Sequence, residues 1–348
     1  MTVNMMRGAL LLVGTTDVIL LSLPAFVILN LLLAVPLLFL TAWIIFQRTM
    51  VRERREMWGR DCSDPDPEQQ AMYNEGVRFM EPYADRKTEL HMVNDGLNLY
   101  AEYYDFGFDR AFIVVPGRTE GLRYGYYFAE PYVKHGYNLL TIDQRCHGES
   151  DGRYNSIGFA EHHDLLLWAK RLHEELGMRS ILLHGICIGS ACSMYALTSE
   201  NAPDYFEGLV AEGMYASFYE SFKNHVIERK KPVFIMGFVD FWMKHYTGYS
   251  MKVGPIDRIG VYRKPLLMLH GTADSYSVPE KATVLYETAG TPDEDKRIVW
   301  FEGGRHSRLR ITDKEKYDGA IEAFLGEVID RRRASERRAE ALHTDMMK

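Results

Sequence analysis

Apolar residues run almost without interruption from 9 to 46, broken by Thr15-Thr16-Asp17, Pro24, Asn30 and Pro36, and the second half, 25–46, carries no charge. A bilayer core takes roughly 20 apolar residues as helix. The run is too long for one simple span and short for two. Residues 1–50 are therefore expected to form a membrane anchor, as one transmembrane helix or as a tight hairpin with 8–23 as its first leg. Arg48, Arg52, Arg54, Arg55 and Arg60 follow the run, against Arg7 alone before it. On the positive-inside rule the rest of the chain faces the cytoplasm. A cleaved signal peptide fits poorly, because its apolar core is only roughly 7–15 residues long and no small-x-small site follows here.

Residues 51–87 are charged, contain Asp64-Pro65-Asp66-Pro67, and read as a juxtamembrane connector with a short helix. From 88 the pattern changes. Segments 90–93 and 97–104 flank Asn94-Asp95-Gly96, a hairpin signal. Short runs rich in Val, Ile and Leu then alternate with helix-length segments, at 111–115, 137–142, 180–183, 209–211, 265–269 and 297–301. Each ends in a Gly, Pro or Asp cluster. A hairpin followed by β-α repeats predicts an α/β unit over 88–330, a mostly parallel sheet covered on both faces. Residues 214–260 interrupt the alternation. They are crowded with Tyr, Phe, Trp and Met, broken by Arg229-Lys230-Lys231, and read as an inserted helical cap. Residues 331–348 form a charged helical tail.

Composition changes this picture little. The 348 residues carry a net charge of −7, which argues against nucleic acid as a partner. Cys62, Cys146, Cys187 and Cys192 make no CxxC pair and join no His cluster at zinc spacing, so no disulfide framework, metal site or cofactor is expected.

The candidate chemistry centres on Gly185-Ile186-Cys187-Ile188-Gly189, between a strand pattern and a helix pattern. A nucleophile on a sharp strand-to-helix turn leaves no room for side chains beside it, hence the flanking glycines. At this point the chain resembles the α/β-hydrolase family, whose elbow is Gly-x-Ser-x-Gly. Cys stands here where most members have Ser, as it does in dienelactone hydrolases and polyhydroxyalkanoate synthases. Further matches follow in order. Val115-Pro116-Gly117-Arg118 ends the first central strand where the family usually has His-Gly. Asp143-Gln-Arg-Cys-His-Gly-Glu-Ser150 resembles Asp-x-Arg-Gly-His-Gly-x-Ser, with Cys146 replacing a glycine. His270-Gly-Thr-Ala-Asp274 through Val278-Pro279 is similar to His-Gly-x-x-Asp-x-x-Val-Pro, stretched by one residue, and Glu302-Gly-Gly-Arg-His306 to the Gly-x-x-His turn.

The resemblance implies the α/β-hydrolase fold with Cys187 as nucleophile, Asp274 as acid, His306 as base, and the backbone N–H groups of Arg118 and Ile188 as an oxyanion hole. His147 and His270 correspond to structural hydrogen-bonders, and Cys192 reads as packing. The motifs look most like the serine-aminopeptidase-like and lipase-like hydrolases. The helix N-terminus and His306 would favour a thiolate at Cys187. The expected activity is that of a membrane-anchored esterase or thioesterase acting through a thioester on a small-molecule or lipid-like acyl substrate. An acyltransferase, a peptidase, or a non-catalytic scaffold of the same fold are the alternatives.

Overall fold

The computed structural model describes residues 26–30, 32–52 and 66–346. The expected first membrane leg at 8–23, Arg7, Arg54, Arg55, Arg60 and Cys62 lie outside them. Eight strands form one sheet: β1 Lys87–Asn94, β2 Leu97–Tyr104, β3 Arg110–Val115, β4 Asn138–Asp143, β5 Ser180–Ile186, β6 Phe206–Glu212, β7 Leu266–Gly271 and β8 Lys296–Phe301. Their spatial order is β1-β2-β4-β3-β5-β6-β7-β8. β2 is antiparallel to both its neighbours, and every other pair is parallel. The first turn explains the opening hairpin: Asp95 and Gly96 have φ of 51° and 75°, the pair of left-handed residues a two-residue turn of this hand requires.

The helices are α1 Phe26–Met50, α2 Pro67–Met80, α3 Ala129–Lys134, α4 Glu161–Glu174, α5 Ile188–Leu197, α6 Phe218–Glu228, α7 Met236–Thr247, α8 Pro279–Thr288, α9 Leu309–Thr312, α10 Lys314–Phe324 and α11 Arg331–Met346. β3, β4, β5 and β7 are buried at every residue. Their side chains alternate between two cores. Ala111, Ile113 and Val115 face Leu165 and Trp168 of α4 and Met194 of α5. Phe112 and Val114 face Tyr132 of α3, Tyr317 of α10 and Met72 of α2. Burial on both faces is why these strands read as continuous apolar runs.

A third core lies over the C-terminal edge of the sheet. It joins Ala42, Phe46 and Met50 of α1 to Met236, Val239 and Met243 of α7, and reaches Ile188 and Ala191 of α5. Fully burying a side chain such as Phe46 or Met50 contributes about 1.5–3 kcal/mol each. Backbone bonds tie down the end of α1: Asn155 N–H donates to Met50 O at 2.9 Å, and Arg52 N–H to Arg153 O at 2.9 Å. Within 214–260 lie α6 and α7, with Arg229-Lys230-Lys231 in the connection between them.

Candidate active site

Between the end of β5 and the start of α5 only Cys187 remains, at φ 54° and ψ −112°. Such a conformation is costly for a non-glycine residue and persists only where its surroundings impose it. Here they do. Cys187 N–H donates to Glu212 O at 2.9 Å, and Ser190 N–H to Cys187 O at 3.1 Å. Ser190 Oγ closes the turn on Gly185 O at 2.7 Å. A Cβ on Gly189 would lie 1.9 Å from Val115 O, and one on Gly185 2.5 Å from Ser190 Cα. The elbow glycines are thus demanded by backbone contact. Cys187 is partly exposed, whereas Cys146 and Cys192 are buried.

Asp274 follows β7. Its Oδ1 accepts from Tyr276 N–H at 2.9 Å and Ser277 N–H at 2.8 Å, which leaves Oδ2 for His306 Nδ1 at 2.7 Å. With Nδ1–H donating to the carboxylate, Nε2 is the nitrogen left for Cys187, whose sulfur acts electrostatically on the ring. Burial opposes charge on this imidazole, but the Cys187 sulfur and then the Asp274 carboxylate outweigh it and hold the His306 pKa well above its usual value. Burial likewise works against the Asp274 carboxylate, and His306 reverses it, leaving the Asp274 pKa below the ordinary range. The three residues meet at the C-terminal edge of the sheet.

Beside them runs the loop after β3. Gly117 N–H donates to Glu120 Oε2 at 2.9 Å, and Thr119 N–H to His147 Nε2 at 3.2 Å. Between these two anchors the Arg118 N–H has no acceptor among the described residues, and neither does that of Ile188. His147 is fully buried, and burial pushes its pKa down to about 4. It is therefore neutral, with Nδ1 bonded to Arg145 O at 3.0 Å and Nε2 accepting from Thr119 N–H. The Arg118 guanidinium turns the other way and donates to Thr49 O, at the end of α1, at 2.8 Å.

Sequence reading missed several supports of this arrangement. Gly213, at φ 58°, backs the histidine: a Cβ there would lie 3.2 Å from His306 Cε1. Glu120 holds the loop after β3. Beneath the elbow, Glu212 accepts from Tyr317 OH at 2.6 Å, and His184 is bonded to Tyr317 at 3.1 Å and to Tyr132 at 3.0 Å. Burial pushes the Glu212 carboxyl up to about 7. None of these residues belongs to a short motif; each is recruited from a different element.

The family profile described as the alpha/beta hydrolase fold matches residues 110–246. The uncharacterized protein YqkD of Bacillus subtilis (strain 168) is 28% identical over 200 residues, which span 56% of this chain and 64% of that protein's length. Among solved structures, the esterase Pf2001 of Pyrococcus furiosus superposes with a TM-score of 0.60 at 19% identity, covering 78% of this chain and 98% of that one. The alpha/beta hydrolase GrgF of Penicillium sp. sh18 gives 0.54 at 16% identity, over 70% and 99%. The chain has the α/β-hydrolase fold.

Proposed function

We propose that this chain is a membrane-anchored acyl hydrolase of the esterase or thioesterase type, with Cys187 as nucleophile, His306 as acid and base, and Asp274 as the carboxylate that orients it. The observation that carries the reading is His306 bonded to Asp274 Oδ2 at 2.7 Å and held electrostatically by the Cys187 sulfur, beside two backbone amides with no acceptor among the described residues. Cys187 Sγ attacks the acyl carbonyl carbon, and the carbonyl oxygen takes up the electron pair between the Arg118 and Ile188 N–H groups. One such donor is worth about 100–1000-fold in rate. The tetrahedral species collapses to a thioester as His306 Nε2–H protonates the leaving group. A water molecule then attacks the thioester, giving its proton to His306, and the free acid leaves as Cys187 Sγ departs. Asp274 keeps the imidazole in the tautomer both half-reactions need.

Support for the acyl chemistry comes from the esterase of Pyrococcus furiosus among the structural neighbours. Support for the anchor comes from α1, a 25-residue apolar helix whose Phe26, Leu32, Leu33 and Leu37 are all more than 60% exposed. The arginines after it favour a cytoplasmic catalytic domain. Labelling with an acyl-chain activated ester and with a thiol-directed probe tests the reading: both labels should vanish in Cys187→Ala, and free acid should appear with no added acceptor. A folded protein that takes neither label would sink it.

A further inference from the structure

The end of α1 and the cap are one packed unit, and the unit continues into a surface that water should not face. Phe39 packs edge-on against Phe238 at 5.0 Å and Phe241 at 5.4 Å, and its carbonyl accepts from Trp242 Nε1 at 2.9 Å. One turn later in α1, Trp43 Nε1 donates to Tyr246 OH at 3.2 Å; then Phe46 stacks on Tyr246 at 5.2 Å. The contacts advance in the same direction along both helices. α7 therefore runs alongside α1, with its N-terminus, and the Val233–Ile235 turn before it, pointing toward the exposed apolar end of α1.

Depth follows from length. A span takes roughly 20 helical residues, and the uncharged run 25–46 provides little more. Residues 38–46 of that run are the ones packed on the cap. At 1.5 Å per residue they cover about 12 Å of the membrane normal. Cap and bilayer must share that depth. At this level the cap presents Phe234, 63% exposed, and Phe241, 49% exposed. Arg229, Lys230 and Lys231 lie next to them in the chain, all exposed and none in an ion pair among the described residues. Exposed aromatics bordered by unpaired cations are the chemistry of a surface that meets anionic lipid.

Resting on the membrane-anchor reading above, we propose that the α6–α7 turn and the outer face of α7 dock on the bilayer, with Phe234 and Phe241 among the acyl chains and Arg229, Lys230 and Lys231 on anionic headgroups. The apolar core beneath this face runs unbroken to Ile188 and Cys187, so the substrate class is a bilayer-resident acyl ester or thioester. The anchor then has a second task, holding the cap at the depth where such substrates lie.

The test uses the full chain reconstituted in phosphatidylcholine vesicles, with and without phosphatidylglycerol. Phe234→Trp should add emission that lipids brominated on their acyl chains quench. Val93→Trp, at a 68% exposed position on β1, should add emission they do not quench. If the protein floats with the vesicles but Phe234→Trp is quenched by aqueous iodide and not by bromolipid, the cap stands in water and this proposal fails alone. Shielding from both quenchers means a protein surface covers the patch, which also overturns it. Failure to float overturns the anchor reading and this one together. In the functional arm, Lys230→Glu/Lys231→Glu should lower the ratio of activity on a vesicle-resident long-chain ester to activity on a soluble short-chain ester. The drop expected is about fivefold per charge removed when phosphatidylglycerol is present, and slight without it. An unchanged ratio refutes the headgroup contact, whereas absence of activity on every ester refutes the hydrolase reading and leaves the quenching result standing.

Discussion

Gly213→Ala isolates the positioning of the His306 ring from the strain of a left-handed backbone. Gly213 follows β6 at φ 58°, its N–H donating to Leu269 O at 3.0 Å and its carbonyl accepting from Ser277 Oγ at 2.9 Å, so the backbone is pinned between β7 and the loop that carries Asp274. An alanine methyl would sit 3.2 Å from Cε1 and 3.3 Å from Nδ1 of His306. Unstrained carbon contacts lie near 3.5–4.0 Å, so the ring must retreat by about 0.3–0.5 Å. A displacement of about 1 Å in a reacting group costs about 100-fold, which puts this one near tenfold in kcat with KM little changed. The left-handed alanine adds about 1–2 kcal/mol of instability. Gly177→Ala is the matched control: φ is 72° there and nothing lies within 4 Å of its Cβ. Both variants should lose similar stability in urea, and only Gly213→Ala should slow ester turnover and Cys187 alkylation by iodoacetamide. Full turnover in Gly213→Ala, or equal losses in both variants, refutes the claim that this contact holds the ring.

Asp274→Asn would let the ring take the wrong tautomer and should lower kcat by about 10³–10⁴, read in the same ester assay, with a much smaller change in unfolding midpoint. Glu212 is a carboxyl whose folded pKa is raised by burial to about 7, so its contribution to stability is fully present below the unfolded value near 4.5 and is lost as pH rises through 7. Over that window wild type should lose up to about 3 kcal/mol relative to Glu212→Gln, measured as diverging urea midpoints at acid and alkaline pH; parallel profiles would dispose of the idea. Phe46→Ala empties a fully buried site stacked on Tyr246 and should cost about 3–5 kcal/mol in detergent. Phe26→Ala, at a 65% exposed position of the same helix, should stay within about 0.5 kcal/mol of wild type.

The parts legible in the sequence are those whose physics is local. Asn94-Asp95-Gly96 announces its turn because so few residues tolerate two successive left-handed conformations. The central strands are legible because burial on both faces leaves only apolar letters. β6 is legible only over 209–211, since it runs over Phe206–Glu212 with a glutamate near each end. Each glutamate has a partner from a distant element, Glu207 on Tyr137 OH at 2.8 Å and Glu212 on Tyr317. Cys146, which stands where the family motif has glycine, does adopt the glycine-like φ of 70°. The motif's geometry has survived a change in its letter. Gly213, Glu120 and the neutral state of His147 were illegible for the opposite reason. Their meaning lies in contacts between the ends of different strands, which no spacing along the chain encodes.

The apolar N-terminal helix shows most sharply where composition stops informing. Lipid and protein interior both ask for apolar side chains, so 25–46 looks uniform as a sequence. The structure divides it by face and by level. Ala42, Phe46 and Met50, four residues apart, are buried against the cap, while Leu40 and Ile44 on the other face stay 51% and 42% exposed. Only the tertiary partners, Tyr246, Trp242 and the Arg118 guanidinium that caps Thr49 O, distinguish the wall of a core from the surface of a span. Arg118 is informative in the same way. Its backbone N–H belongs to the loop beside Cys187, its side chain ends on α1, and the helix that would enter the membrane is thereby bonded to a residue whose own N–H is proposed to hold the oxyanion. A shift of α1 relative to the sheet would pull on that loop as well as on the 153–155 segment bonded to Met50 and Arg52, and in the loop neighbouring Gly117 and Thr119 are held by Glu120 and His147.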